Sequence, residues 1–157
     1  MSVDVGAKAP DFTLPNQDRE NVTLSEQLKN GPAVLVFFPA AFSSVCQQEV
    51  CTFRDSMAEL GKSSAKVLGI STDTFFAQKA WADQQKLNFP LLSDYNKDVI
   101  RKYGVVNPDM IGLKDISKRA VFVIDRSGRI RKTVLGAADW NSQGNRSLIA
   151  SLIAEGA

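Results

Sequence analysis

Residues 33–46 read "AVLVFFPAAFSSVC", and their pattern decides the fold. The first six are apolar without interruption and rich in β-branched and aromatic side chains, which suits a strand buried on both faces of a sheet. Pro39 stops that strand. Val45, Val50, Phe53, Met57 and Leu60 then recur at helical intervals, and Gly61 follows as a stop, so a helix begins close to where the strand ends. Further along, "AKVLGIS" (65–71) is a second buried strand. Asp73 is placed to cap the next helix, whose inward stripe is Phe76, Ala80, Trp81 and Leu87. "FPLLSD" (89–94) is a short third strand, and "NKDVIRKYG" (96–104) a helix closed by Gly104. "NPDMIGLKD" (107–115) reads as irregular. "RAVFVID" (119–125), "RSG" and "RIRKTVL" (129–135) form a hairpin, and a last helix is expected over about 144–155.

Towards the N-terminus, "APDFTL" and "ENVTL" make a small extra hairpin. Ser25 is the expected N-cap of a short helix that "KNGP" (29–32) ends. Strands alternating with helices, followed by a hairpin and a helix, predict an α/β layered domain with a mixed central sheet flanked by helices. No repeat or linker interrupts it, so one domain is expected over residues 1–157.

A chain of 157 residues is long enough to bury roughly 70% of its unfolded surface. The net charge of +2, from 19 basic and 17 acidic residues, gives no case for nucleic acid, and no block of like charge marks a tail. No apolar stretch approaches the roughly 20 residues that cross a bilayer, and "SVDVGAKAPDF" lacks the apolar core of a signal peptide. The expectation is a soluble protein of the cytoplasm, without a membrane partner. In that compartment paired cysteines are more often redox-active or metal-binding than structural staples.

The chain has two cysteines, Cys46 and Cys51, and no histidine. A structural zinc site would be left half empty by two thiolates unless a second chain completed it. Cysteine-protease and Ser-His-Asp chemistry both need the missing imidazole. No cofactor is called for. Inert packing is the ordinary role of a helix cysteine, but Cys46 falls in the first turn of a helix at the carboxyl end of a central strand. There, open α/β sheets bind ligands, and unpaired N–H groups and the helix dipole favour an anion.

A thiol at its ordinary pKa of about 8.5 is only about 3% ionised at pH 7, so a reactive Cys46 needs a cation as well. Arg119 and Arg54 are the candidates, and Ser43 can hydrogen-bond the sulfur or a substrate oxygen. The Cys-x4-Cys spacing places the two Cα atoms roughly 8–9 Å apart on a helix, whereas a disulfide needs less than about 7 Å. The pair is therefore either a reagent and a partner reached by unwinding the first turn, or two unrelated cysteines.

"PAAFSSVC" resembles the Pro-x-x-x-Ser/Thr-x-x-Cys signature of the peroxiredoxins, with Pro39, Ser43 and Cys46 in the three places; "CQQE" adds Glu49. "VGAKAPDFTL", "VLVFFP", "LGISTD", "LLSDYNKDVIRKYGV" and "RAVFVIDRSGRI" follow the family in order, so the likeness spans essentially the whole chain. The spacing of the cysteines is similar to the bacterioferritin-comigratory (Q-type) subgroup, and "FFPAAF" to the related one-cysteine enzymes of the AhpE type.

The resemblance implies a thioredoxin-like fold with an N-terminal β-hairpin extension. It also implies a peroxidase acting on hydrogen peroxide and organic hydroperoxides, with Cys46 as the peroxidatic cysteine. Pro39 would shape the pocket, Ser43 and Arg119 would polarise the peroxide, and Glu49 would orient an arginine or simply be a solvated helix residue. Cys51 would form an intramolecular disulfide with Cys46, recycled by a thioredoxin-type or glutaredoxin-type reductant. Otherwise Cys51 is a core residue and an external thiol resolves Cys46. The family offers monomers and dimers, and the aromatic residues near Cys46, Phe42 among them, favour a homodimer. Two rivals remain at this level: a dithiol oxidoreductase that does not use peroxide, and a redox sensor.

Overall fold

The computed structural model describes residues 3–43, 51 and 66–135. Apart from Cys51, the helix expected over 45–60 lies outside the described residues, as does the last helix. Two short strands, β1 (Thr13–Pro15) and β2 (Asn21–Thr23), pair antiparallel as the small hairpin and lead into helix α1 (Leu24–Leu28). Strand β3 (Ala33–Phe37) is followed by β4 (Lys66–Ser71), helix α2 (Phe75–Gln85), β5 (Leu91–Ser93) and helix α3 (Asp98–Lys102). A second hairpin, β6 (Val106–Met110) with β7 (Leu113–Ser117), precedes β8 (Ala120–Ile124) and β9 (Ile130–Leu135).

The central sheet has the order β5-β4-β3-β8-β9, with β3, β4 and β5 parallel and β8 and β9 antiparallel to their neighbours. Every residue of β3 and β8 is buried, as the uninterrupted apolar runs require. Because successive side chains point to opposite faces, β3 divides itself between two cores. Leu35 and Phe37 join Leu68, Ile70, Phe122, Ile100 and Tyr103 on one face. Val34, Val36 and Phe38 join Val67, Val121, Val123 and Trp81 on the other. The Tyr103 hydroxyl donates to the Pro10 carbonyl at 2.7 Å and ties the N-terminal segment to the first core.

Gly69 sits where β4 crosses β5. A Cβ there would lie 2.6 Å from Leu91 Cδ2, so glycine lets the two parallel strands pair without a clash.

Four local expectations are corrected. The segment 107–115 is not irregular. Its Ile111-Gly112 step has φ of +48° and +91°, the paired left-handed conformations that close a two-residue hairpin, and it joins β6 to β7. Ser25 is not the N-cap of α1; Thr23 occupies that position, and Ser25 hydrogen-bonds Asp11 through its N–H (3.0 Å) and hydroxyl (2.9 Å). On α2, Gln78, Trp81 and Ala82 are buried, Leu87 packs partly buried beyond the helix, and Phe76 and Ala80 face outwards. Finally, Thr74 rather than Asp73 caps α2, its hydroxyl accepting the Ala77 N–H at 3.2 Å. Thr74 stands one residue nearer the first turn, and Asp73 has other partners.

Candidate active site

Strand register assembles the site. Phe37, the last residue of β3, pairs with Ala120, the first of β8, and Ala120 pairs in turn with Leu135, the last of β9. Pro39, two residues beyond β3, and Arg119, one residue before β8, are therefore brought to the same edge of the sheet, although 80 positions of chain separate them. That edge is also where the parallel strands β4 and β5 deliver their carboxyl ends, the usual place for a ligand in an open α/β sheet.

The cleft here, of about 450 Å³, is lined by Pro39, Val105, Asn107, Met110, Arg119 and Leu135 among others, and clefts of about 300–1,000 Å³ hold small molecules. Pro39 is buried and Arg119 half-buried. Arg119 and Lys118 thus both border an opening whose other walls are mostly apolar, where a cation's field on a developing oxyanion is less screened than in water.

The chain over residues 38–42, which leaves β3 towards Cys46, is held from outside. Phe42 adopts a left-handed backbone, φ +66°, a conformation that costs a non-glycine residue about 1–2 kcal/mol. Its ring lies 6.3 Å from that of Trp81, with Phe38 on the same indole at 5.3 Å. The Ala41 N–H donates to Asp73 Oδ2 at 2.8 Å, and the Ser71 hydroxyl donates to the same oxygen at 2.7 Å. Buried Gln78 donates from Nε2 to Ser71 Oγ at 3.0 Å and to the Leu92 carbonyl at 2.8 Å. Gln78 Oε1 and Trp81 Nε1, both buried, find no hydrogen-bond partner among the described residues.

Of the six residues singled out from the sequence, Pro39 and Arg119 share the cleft. Ser43 is half-buried at the end of the loop. Cys51 lies in helical backbone, half-buried and not in a disulfide, and its thiol donates to Gln85 Oε1 at 3.4 Å, near the end of α2. Cys46 and Glu49, and with them Arg54, lie outside the described residues. Sequence reasoning missed Asp73, Ser71 and Gln78 as supports of the loop, and Met110 and Asn107 as walls of the cleft. The one local signal for the hairpin that carries the last two was Gly112, which supplies one of the two positive-φ positions of its turn. Among the described residues no cluster of three or more His, Cys, Asp or Glu side chains is placed to hold a metal ion, and no helix is long and apolar enough to cross a membrane.

The pattern of the AhpC/TSA family matches residues 5–133, more than four-fifths of the chain. The chain belongs to that family. As a peroxiredoxin it is an oxidoreductase of the peroxidase kind with a thioredoxin-like fold. This peroxiredoxin is 41% identical over 131 residues to alkyl hydroperoxide reductase E of Mycobacterium tuberculosis, covering 82% of this chain and 83% of that one. It is 39% identical over 129 residues to a chloroplastic peroxiredoxin Q of Suaeda salsa, covering 82% of this chain and 58% of that longer protein. Among solved structures it is similar to peroxidoxin BcpB of M. tuberculosis, with a TM-score of 0.87, 31% identity and 96% of each chain covered. The likeness extends to both branches that the cysteine spacing and "FFPAAF" bring together.

Proposed function

We propose that this peroxiredoxin reduces hydrogen peroxide and organic hydroperoxides in the cytoplasm through Cys46, within one domain spanning residues 1–157. The Cys46 thiolate attacks one peroxide oxygen. The S–O bond forms as the O–O bond breaks, and the leaving oxygen takes up a proton to depart as water or an alcohol, with a sulfenic acid left on the enzyme. Arg119 stabilises charge on the leaving oxygen, Ser43 positions the substrate, Pro39 walls the sulfur from water, and Glu49 orients an arginine.

The observation that carries this reading is the cleft in which Pro39 and Arg119 meet at the carboxyl edge of the sheet. Its apolar walls, Val105, Met110 and Leu135, suit the alkyl part of an organic hydroperoxide, in keeping with the name of the M. tuberculosis relative.

Cys51 then attacks the sulfenic sulfur, expelling water and giving a Cys46–Cys51 disulfide, which a thioredoxin-type or glutaredoxin-type dithiol reduces. A second reading is favoured by the bond from the Cys51 thiol to Gln85. There Cys51 stays parked against α2, and an external thiol resolves Cys46. A homodimer belongs to the proposal, supported by the exposed aromatic rings of Phe42, Phe76 and Tyr95.

Mass spectrometry after one equivalent of peroxide separates these readings. The expected result is loss of two hydrogens in the wild type, a trapped sulfenic acid in Cys51→Ser, and no reaction in Cys46→Ser. A stable sulfenic acid in the wild type removes Cys51 from the cycle. Peroxide consumption that survives Cys46→Ser overturns the proposal.

A further inference from the structure

Asp73 stands at the position expected of a helix cap, yet Thr74 performs that task. Its carboxylate instead reaches across 32 positions of chain to the Ala41 N–H, 2.8 Å away. The accepting oxygen is fixed by the Ser71 hydroxyl at 2.7 Å, and Ser71 is fixed by Gln78, whose amide nitrogen also grips the Leu92 carbonyl. The Asp73 carbonyl accepts the Ser93 hydroxyl at 2.6 Å, so its main chain is held as well. Ser71 and Gln78 are fully buried. A rigid relay therefore runs from the β4–β5 edge of the sheet to a single N–H five residues ahead of Cys46.

Beyond the packing of Ala41 on the second core and the Phe42 ring beside Trp81, the side chains of the receiving loop offer it few polar anchors. Ala40 and Ala41 offer only methyl groups, and Phe42, 53% exposed, is in a left-handed conformation. By its charge alone, a carboxylate near a thiolate would disfavour ionisation of the sulfur.

We infer that Asp73 is a positioning residue for the peroxidase reaction: its carboxylate clamps the Pro39–Ser43 loop through the Ala41 N–H and so shapes the peroxide pocket that the loop borders. The inference rests on the Cys46 reading given above. It predicts that loosening the clamp slows attack on a peroxide, which must be held in line with sulfur, far more than alkylation, which needs only an accessible thiolate.

The test measures, on the pre-reduced full-length chain, the rate of tert-butyl hydroperoxide reduction and the rate of iodoacetamide modification at Cys46, followed by peptide mass spectrometry. Asp73→Ala is expected to lose about 100-fold in the peroxide rate while alkylation stays within about threefold, since misplacement of order 1 Å carries such a cost. Asp73→Asn keeps an oxygen that can accept both bonds, and is expected to stay within about threefold of wild type in both rates. Ser71→Ala, which removes only the support of the carboxylate, is expected to fall between the two.

Peroxide and alkylation rates that fall together in Asp73→Ala overturn the positioning role, as does an Asp73→Asn as slow as Asp73→Ala. Should Asp73→Ala not fold, the ratio of the two rates in Ser71→Ala decides, and an unchanged ratio overturns the inference. Those outcomes differ from failure of the underlying reading, which is peroxide turnover that persists in Cys46→Ser.

Discussion

Asp73 and Asp94 leave the sheet at equivalent places. One follows β4 and the other β5, each just beyond a buried strand-ending serine, Ser71 or Ser93, and each shortly ahead of a helix. Asp94 does the local job. Its carboxylate accepts the N–H groups of Val99 at 3.2 Å and Ile100 at 2.8 Å, because Lys97 at the N-cap of α3 is left-handed and offers no capping bond. Asp73 is released from that job by Thr74, and its carboxylate crosses to another segment of the chain. The residue type is the same in both, and the places differ only by one step beyond the paired serines Ser71 and Ser93. What differs is whether the neighbour can cap, and that decides whether the carboxylate stabilises its own helix or supports the reaction.

If that division is correct, truncating the two residues produces opposite phenotypes. Asp94→Ala leaves two buried N–H groups unsatisfied, at about 1–3 kcal/mol each. The expected loss is about 3 kcal/mol in urea denaturation, with an unchanged peroxide rate per folded molecule, in contrast to Asp73→Ala. A loss of rate at full stability in Asp94→Ala would erase the distinction. Gly69→Ala tests the strand pair from which both aspartates emerge. Its Cβ would meet Leu91 Cδ2 at 2.6 Å, and the overpacking is expected to cost about 1–3 kcal/mol of stability. Thr74→Ala removes an exposed cap, at about 1 kcal/mol. If Asp73 then turns back to cap α2 in place of Thr74, the peroxide rate falls as well, which would tie the two roles together.

The smallest effect is a slope with pH. Burial pushes the Asp94 carboxyl above its ordinary value of 3.8, against the pull of the Ile100 and Val99 N–H groups. The native state thus holds this proton to a higher pH than the unfolded chain does. Its contribution to stability is greatest below 3.8 and is lost as the pH rises through the folded value. The stability of the wild type relative to Asp94→Asn is therefore expected to increase on acidification through that window, as followed by denaturation at a series of pH values. Asp125 runs the other way. Burial raises its carboxyl, but the Ser127 hydroxyl, the Arg129 and Ser127 N–H groups and Arg131 together bring it below its ordinary value. Its contribution is present above that value and is lost as the pH falls through the folded one.

The central strands were legible because burial on both faces writes an uninterrupted apolar run, as in "AVLVFF" and "RAVFVID", and that signal needs no knowledge of partners. The "RSG" turn and the small N-terminal hairpin were legible for a similar local reason. Helix α2 was harder: hydrophobicity placed Trp81 inward correctly, but Gln78 is polar and wholly buried while Phe76 is 68% exposed, so the rest of the stripe was turned the wrong way. The 107–115 hairpin was missed because Pro108 and the charged Asp109, Lys114 and Asp115 masked its strands. Of the site, Pro39 and Arg119 came from a resemblance of motif, whereas Asp73 was read as a cap because a cap is what local spacing predicts for it.

By itself the sequence determined the strands of the central sheet, the helices between them that the structure describes and the family whose signature surrounds Cys46, since these depend on the character of residues close together in the chain. The tertiary structure alone decided that Pro39 and Arg119 face one cleft, that Met110 lines it, and that Asp73 holds Ala41. Those contacts depend on strand register and on which donor lies nearest in space. A hydrogen bond spanning tens of residues leaves no periodicity in the chain that forms it.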